Sequence, residues 1–222
     1  MIVFDWDDVF TLGSTNGYHA CYKLAAHSVG AVVSDTEITE TVDRLWGRPH
    51  EKVIEVFLGE QKHLILQASR AYEEAIFSDT FLSELSIVDG ALDMISRLSK
   101  RYTLAIVTGS NMKLLREKIF QKFGVPPVFK HIISSHDLKD ESRGKPYPDM
   151  LLDVLEREGC GPENAVYIGD APGDMIMAKF ANVLPIAVLT GQLSRDAAEK
   201  LGIKNIIDDV ALLEDLLNRI DK

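Results

Sequence analysis

The sequence predicts a doubly wound α/β fold with a mainly parallel sheet, interrupted once by an all-helical insertion. Three observations predict it. Short apolar runs rich in Ile and Val recur along the chain, and each is nearly continuous, as strands covered on both faces should be. A glycine-containing or polar turn and then a helical pattern follow each run, the signature of alternating β and α units. Between the first and second runs lie about a hundred residues, far more than a simple crossover requires.

In chain order, the strand-like runs are residues 2–4, 104–107, 131–133, 165–168 and 184–189. The inserted stretch reads as consecutive amphipathic helices over 17–29, 35–45, 50–58 and 61–77, with no convincing strand. Asp89-Gly90 then opens a helix over 91–99 that leads back into the sheet. The expected division is a core of residues 1–15 and 83–222 and an inserted helical domain of residues 16–82.

At 222 residues, 46% hydrophobic and 26% charged, the chain can bury a real core without staples. Its two cysteines, Cys21 and Cys160, lie outside any CxxC spacing, so neither a disulfide framework nor a zinc site is expected. The apolar N-terminal stretch lacks a basic start and is broken at Asp5, unlike a signal peptide or membrane span. A cytoplasmic protein, monomer or homodimer, is the expectation. The net charge of -10 argues against nucleic acid or an anionic membrane as partner, since both need a basic face. A phosphate can still bind an acidic protein where a metal ion and local donors reverse the field.

Four strand ends carry candidate chemistry. The first ends in Phe4-Asp5-Trp6-Asp7-Asp8-Val9, and open α/β sheets bind ligands beyond the carboxyl ends of their strands. Asp5 and Asp7, two apart, suit one carboxylate as nucleophile and metal ligand and the other as proton donor; a bare acidic loop would look the same. The second ends in Thr108-Gly109-Ser110 before a helix near Asn111. Thr108 there could donate to a phosphoryl oxygen beside free helix N–H groups, or Thr108 or Ser110 could simply cap the helix. Lys145, in Gly144-Lys145-Pro146-Tyr147-Pro148, is either a rigidly held positive charge or a solvated loop lysine. The fourth ends in Gly169-Asp170-Ala171-Pro172-Gly173-Asp174; helix capping accounts for Asp174 alone but less well for Asp170.

Together, and in this order, these elements resemble the haloacid dehalogenase-like (HAD) superfamily. Its pattern is DxDx(T/V), a strand-ending Thr or Ser, a Lys, and GDxxxD. Here they read Asp5-Trp6-Asp7-Asp8-Val9, Thr108, Lys145 and Gly169-Asp170 through Asp174. The likeness spans nearly the whole chain, including the helical insertion, the Gly-Lys-Pro-x-Pro-Asp stretch and Leu189-Thr190-Gly191, and points to the branch of phosphoglycolate phosphatases and β-phosphoglucomutases. It implies a Rossmann-like, HAD-like core, a helical cap that reads the substrate, and a Mg2+-dependent phosphatase acting on a small phosphorylated metabolite through a phospho-aspartyl intermediate. Asp5 would be the nucleophile and Asp7 the general acid and base. Magnesium would be held by Asp5, the Asp7 backbone carbonyl and Asp170, with Asp174 either a second ligand or, behind them, a partner of Lys145. Thr108, Gly109, Ser110 and Lys145 would surround the phosphoryl group. One departure stands out: the position after Asp7, usually glycine in the family's phosphatases, is Asp8.

In the insertion, the turn Trp46-Gly47-Arg48-Pro49-His50-Glu51-Lys52 presents basic groups beside an aromatic ring. Either Arg48 contacts substrate there, or the turn is a solvated helix start with Pro49 in its first turn. Competing activities keep the same scaffold. A dehalogenase has no need of an acid at Asp7. A phosphomutase would keep every motif, and a phosphonate-cleaving enzyme would form an imine through a cap lysine such as Lys52. A decayed, non-catalytic module is disfavoured because every reactive position holds a competent residue.

Overall fold

The computed structural model describes residues 1–220. Its main sheet is built from six strands, and a two-stranded ladder stands beside it. In chain order the strands are β1 (Ile2–Phe4), β2 (Thr11–Leu12), β3 (Ser86–Ile87), β4 (Leu104–Thr108), β5 (Phe129–Ser134), β6 (Val166–Gly169), β7 (Leu184–Val188) and β8 (Asn205–Ile207). The main sheet runs β5-β4-β1-β6-β7-β8, every pairing parallel. Numbered by its own strands, that is the order 3-2-1-4-5-6, in which the winding reverses at the first strand.

All three residues of β1 and all five of β4 are buried, which is why they read as unbroken apolar runs. β5 and β8, at the two edges, are only partly buried. β8 was not expected from the sequence: its Asn205-Ile206-Ile207 is too short and too polar at its start to stand out.

Two compact units divide the chain, residues 1–12 with 86–220 and residues 13–85. Among its described residues the second contains no strand, a 3-10 turn at Lys62–Leu64 and five α-helices: α1 (Ser14–Ser28), α2 (Asp35–Arg44), α3 (His50–Leu58), α4 (Ile65–Ile76) and α5 (Asp79–Leu82). α2 starts with a reciprocal cap, in which the Glu37 N–H donates to Ser34 Oγ and the Ser34 N–H donates to the Glu37 carboxylate. The interior of this unit includes Tyr22 stacked on Tyr72 at 4.2 Å and His50 stacked on Tyr72 at 5.0 Å. The two ends of the insertion meet in the core unit, where Thr11 pairs with Ile87 and Leu12 with Ser86 in an antiparallel ladder.

The core helices are α6 (Ala91–Leu98), α7 (Met112–Leu114), α8 (Phe120–Phe123), α9 (Asp149–Glu158), α10 (Pro172–Phe180), α11 (Arg195–Lys200) and α12 (Leu213–Ile220). A π-helical turn, Leu115–Ile119, joins α7 to α8. Beneath the carboxyl end of β1 the rings of Phe4, Trp6 and Phe10 pack together, Phe10 lying 5.0 Å from Phe4 and 4.9 Å from Trp6. Phe120 and Phe129 complete this cluster. Phe10 is fully buried, so Phe10→Ala is expected to lower core stability by about 3–5 kcal/mol, read from urea unfolding; a loss under about 1 kcal/mol would mean that the cluster collapses to fill the gap.

Candidate active site

The sheet order places the carboxyl ends of β1 and β6 side by side at the point where the winding reverses. Phe4 pairs with Ile168, and the Asp5 N–H donates to the Ile168 carbonyl at 2.8 Å. Asp5 and Asp170 therefore leave adjacent strands at nearly the same level.

Lys145 reaches this point from the loop before α9. Its Nζ lies 2.8 Å from Asp5 Oδ1 and 2.8 Å from Asp174 Oδ1, so it is a buried bridge between two carboxylates and not a solvated loop lysine. Asp174, in the first turn of α10, is fully enclosed. Its Oδ2 accepts the N–H groups of Asp170 at 3.2 Å and Ala171 at 3.1 Å, so it caps α10 and holds Lys145 at once. The Tyr167 hydroxyl lies 3.0 Å from Asp174 Oδ1 and 3.1 Å from the Val107 carbonyl. A Cβ on Gly169 would come within 2.5 Å of Asp174, so the turn after β6 closes this tightly only with glycine.

Asp170 is held from the far side by the loop after β7. Gln192 N–H donates to its Oδ2 at 3.2 Å and Leu193 N–H to its carbonyl at 2.7 Å. A Cβ on Gly191 would overlap Asp170 Oδ2, which explains the glycine there. Among the described residues Asp170 Oδ1 accepts no hydrogen bond, although the residue is only 4% exposed.

On the β4 side Thr108 is fully buried, and its Oγ1 accepts the Ser110 N–H at 3.1 Å. The Ser110 hydroxyl donates to Asp7 Oδ2, and the Ser110 carbonyl accepts Ser134 Oγ at 2.6 Å. The helix cap is Asn111, whose Oδ1 accepts the N–H groups of Lys113 at 2.9 Å and Leu114 at 3.2 Å. The capping reading of Thr108 and Ser110 is thereby overturned. Gly109 between them is exposed.

The core unit thus gathers Asp5, Asp7, Thr108, Ser110, Lys145, Asp170 and Asp174. Arg48 belongs to the helical unit, exposed in the turn before α3. Lys52 is also exposed and pairs with Glu55 at 2.7 Å, a hydrated setting unlike the desolvated one that makes a lysine an imine-forming nucleophile. Tyr167 and Ser134 were missed from the sequence. A tyrosine inside a buried strand demands a partner for its hydroxyl, which was the available signal; Ser134 had only its place at the end of the strand next to β4.

Burial pushes the Asp5 carboxyl up, Lys145 pulls it down, and Asp174 and Asp7 push it up again, from 3.8 to about 7. Burial, then Asp174, Asp5 and Asp8, raise Asp170 well above the usual carboxylate range. Burial disfavours the charged form of Lys145, but Asp174 and Asp5 outweigh it and hold the ammonium charged. Asp5, Asp170 and Asp174 each offer an oxygen within 4.8 Å of the others, against one ammonium. An all-oxygen donor set, a surplus of buried negative charge and the uncommitted Asp170 Oδ1 fit a hard divalent cation.

A parallel sheet with buried carboxylates and a lysine gathered at its switch point is a class of core suited to an anionic ligand and a cation together. The particular family follows from comparison: the sequence model of the haloacid dehalogenase-like hydrolases matches residues 1–182, and the chain belongs to that family. Glyceraldehyde 3-phosphate phosphatase of Methanothermobacter thermautotrophicus is 25% identical over an alignment of 233 residues, covering 97% of this chain and 98% of its own. Phosphoglycolate phosphatase of Rhodospirillum rubrum is 27% identical over 151 residues, 68% of this chain and 61% of its own. The fold is also that of a haloacid dehalogenase-like family hydrolase of Streptococcus pneumoniae, with a TM-score of 0.75 at 20% identity over 98% of this chain and 97% of that chain.

An acid whose pKa rises on folding takes up a proton as the chain folds, so stability falls as pH rises between the unfolded and folded values. For Asp5 the window runs from 3.8 to about 7. Metal-free protein is expected to lose thermal stability from about pH 5 to about pH 7, and Asp5→Asn to flatten part of that slope. Parallel melting curves for the two proteins across the window would show that Asp5 keeps its ordinary pKa.

Proposed function

We propose that this chain is a magnesium-dependent phosphatase that hydrolyses the monoester of a small phosphorylated metabolite through a phospho-aspartyl intermediate on Asp5. The observation that carries the reading is the Lys145 ammonium, 2.8 Å from both Asp5 and Asp174, with Asp170 beside them. The bridge fixes Asp5 at the carboxyl end of β1 and leaves a fixed positive charge where phosphoryl oxygens gather. Membership of the hydrolase family and the phosphatase names of the relatives support it. Small phosphorylated acids and aldehydes are the substrate class that those relatives suggest.

In the first half-reaction a carboxylate oxygen of Asp5 forms a bond to phosphorus in line with the ester oxygen. The phosphorus–ester bond breaks, and the leaving alcohol takes a proton from Asp7. In the second, Asp7 accepts a proton from water as the water attacks the acyl phosphate, releasing inorganic phosphate and restoring the Asp5 carboxylate. Thr108, the backbone of Gly109 and Ser110, and Lys145 take up the charge of the phosphoryl oxygens, and the Ser110 hydroxyl orients Asp7. Magnesium held by Asp5, Asp170 and the Asp7 backbone carbonyl would neutralise the charge that the phosphoryl group brings in. Asp174 acts behind them by holding Lys145. Among the described residues no helix is long and apolar enough to cross a membrane, and a cytoplasmic monomer or homodimer completes the proposal.

With magnesium and an aryl phosphate, Asp5→Asn is expected to cut turnover at least about a thousandfold. A variant retaining a tenth of wild-type activity would remove Asp5 as nucleophile. In a screen of phosphorylated metabolites, Arg48→Ala is expected to raise KM for the best substrate several-fold with kcat within about twofold. Unchanged kinetics would take Arg48 out of the substrate site.

A further inference from the structure

Ser134 ends β5 directly across from Thr108, and both are fully buried. Part of what Ser134 does is local. It caps the single turn Ser135–Asp137, its Oγ accepting the His136 N–H at 3.2 Å while its own N–H donates to the Asp137 carboxylate at 3.0 Å. Capping uses the hydroxyl only as an acceptor. The hydroxyl proton goes elsewhere, across to the Ser110 carbonyl at 2.6 Å, and the cap gives no reason for that bond.

Ser110 is thereby held on both sides of its side chain. Its N–H donates to Thr108 Oγ1 at 3.1 Å and its carbonyl receives the Ser134 hydroxyl, which together fix the main chain from which the Ser110 side chain projects. The Ser110 hydroxyl then donates to Asp7 Oδ2. An acid that accepts a proton donor at Oδ2 carries its own transferable proton on Oδ1, so Ser110 decides which oxygen of Asp7 is presented for proton transfer. Ser110 is only 2% exposed, and in so dry a place these bonds are strong and meet little competition from water. Contacts therefore run from the edge strand β5 to the turn after β1. No proton travels along them, because the middle link is a backbone carbonyl; what they transmit is position.

Resting on the reading of Asp7 as general acid, we propose that Ser134 is a positioning residue for proton transfer by Asp7. By holding the Ser110 carbonyl it aims the Ser110 hydroxyl, and through it the Asp7 carboxyl, at the departing ester oxygen. The step it serves is cleavage of the phosphorus–ester bond: the electron pair of that bond stays with the ester oxygen, a proton from Asp7 joins it, and Asp5 supplies the new bond to phosphorus. Only a leaving group too basic to depart as an anion needs that proton. Loss of Ser134 therefore discriminates between esters by their leaving groups, whereas a merely structural defect does not.

The test compares kcat/KM, which reports the steps through departure of the leaving group, for two esters on the full chain with magnesium. Phenyl phosphate has a leaving group that needs a proton; dinitrophenyl phosphate has one that departs as a stable anion. Ser134→Ala is expected to lower kcat/KM about tenfold for phenyl phosphate and less than about twofold for dinitrophenyl phosphate. Both esters are read on one preparation, so a poorly folded fraction lowers both equally and leaves their ratio unchanged. Ser134→Thr keeps the hydroxyl on a side chain suited to a strand and is expected to bring that ratio back to within about twofold of wild type. Equal losses on the two esters in Ser134→Ala, no loss on either, or a Thr variant with the ratio of the Ala variant overturns the inference. Asp7→Asn, measured in parallel, distinguishes what falls. If it loses phenyl phosphate selectively while Ser134→Ala does not, Asp7 stands as the acid without Ser134. If it loses both esters equally, the general-acid reading falls and the inference with it.

Discussion

The rest of the site depends on one buried ammonium held between two carboxylates. Lys145 and Asp174 are both withdrawn from water, and a buried ion pair stands only when each partner's remaining valences are met. Asp174 meets its own with two backbone N–H groups at the start of α10 and a contact to the Tyr167 hydroxyl. The other ion pair of Lys145 is with Asp5. Removing any member leaves a charge unmatched in a dry place, so the end of β1, the loop before α9 and the start of α10 are fixed together. The glycines at 169 and 191 follow from the same closeness, since a side chain at either would run into Asp174 or Asp170.

Residues as distant in sequence as Asp5, Thr108, Lys145 and Asp170 converge because the sheet leaves them no other place. Parallel strands send every carboxyl end to one edge, and the reversal at β1 opens a crevice there. The helical insertion does not disturb that register. It departs and returns through the ladder of β2 and β3, and once those ends are pinned the length of the loop between them matters little to the core.

Much of this was legible in the sequence because two signals coincided. The buried strands were continuous Ile- and Val-rich runs, and each was followed at once by a polar residue with chemistry of its own, as in Phe4-Asp5 and Val107-Thr108. The signal failed where one half was missing. β8 has three residues at an edge, and β2 and β3 have two each, too short for any period to show. The π-helical turn at Leu115–Ile119 breaks the 3.6-residue repeat without a proline or glycine to mark it. The donors from Gln192 and Leu193 are backbone groups, which no residue type announces. Tyr167 sits in an apolar run, and only the need to satisfy its hydroxyl sets it apart there.

Net charge and site charge answer different questions in this molecule. A total of -10 sets the long-range field that an approaching anion meets, whereas binding is decided by charges a few ångströms apart in a dry crevice. Fully ionised, Asp5, Asp170 and Asp174 against Lys145 leave a surplus of two negative charges, which one divalent cation cancels. On that count a phosphate monoester meets a neutral site whose positive groups face it.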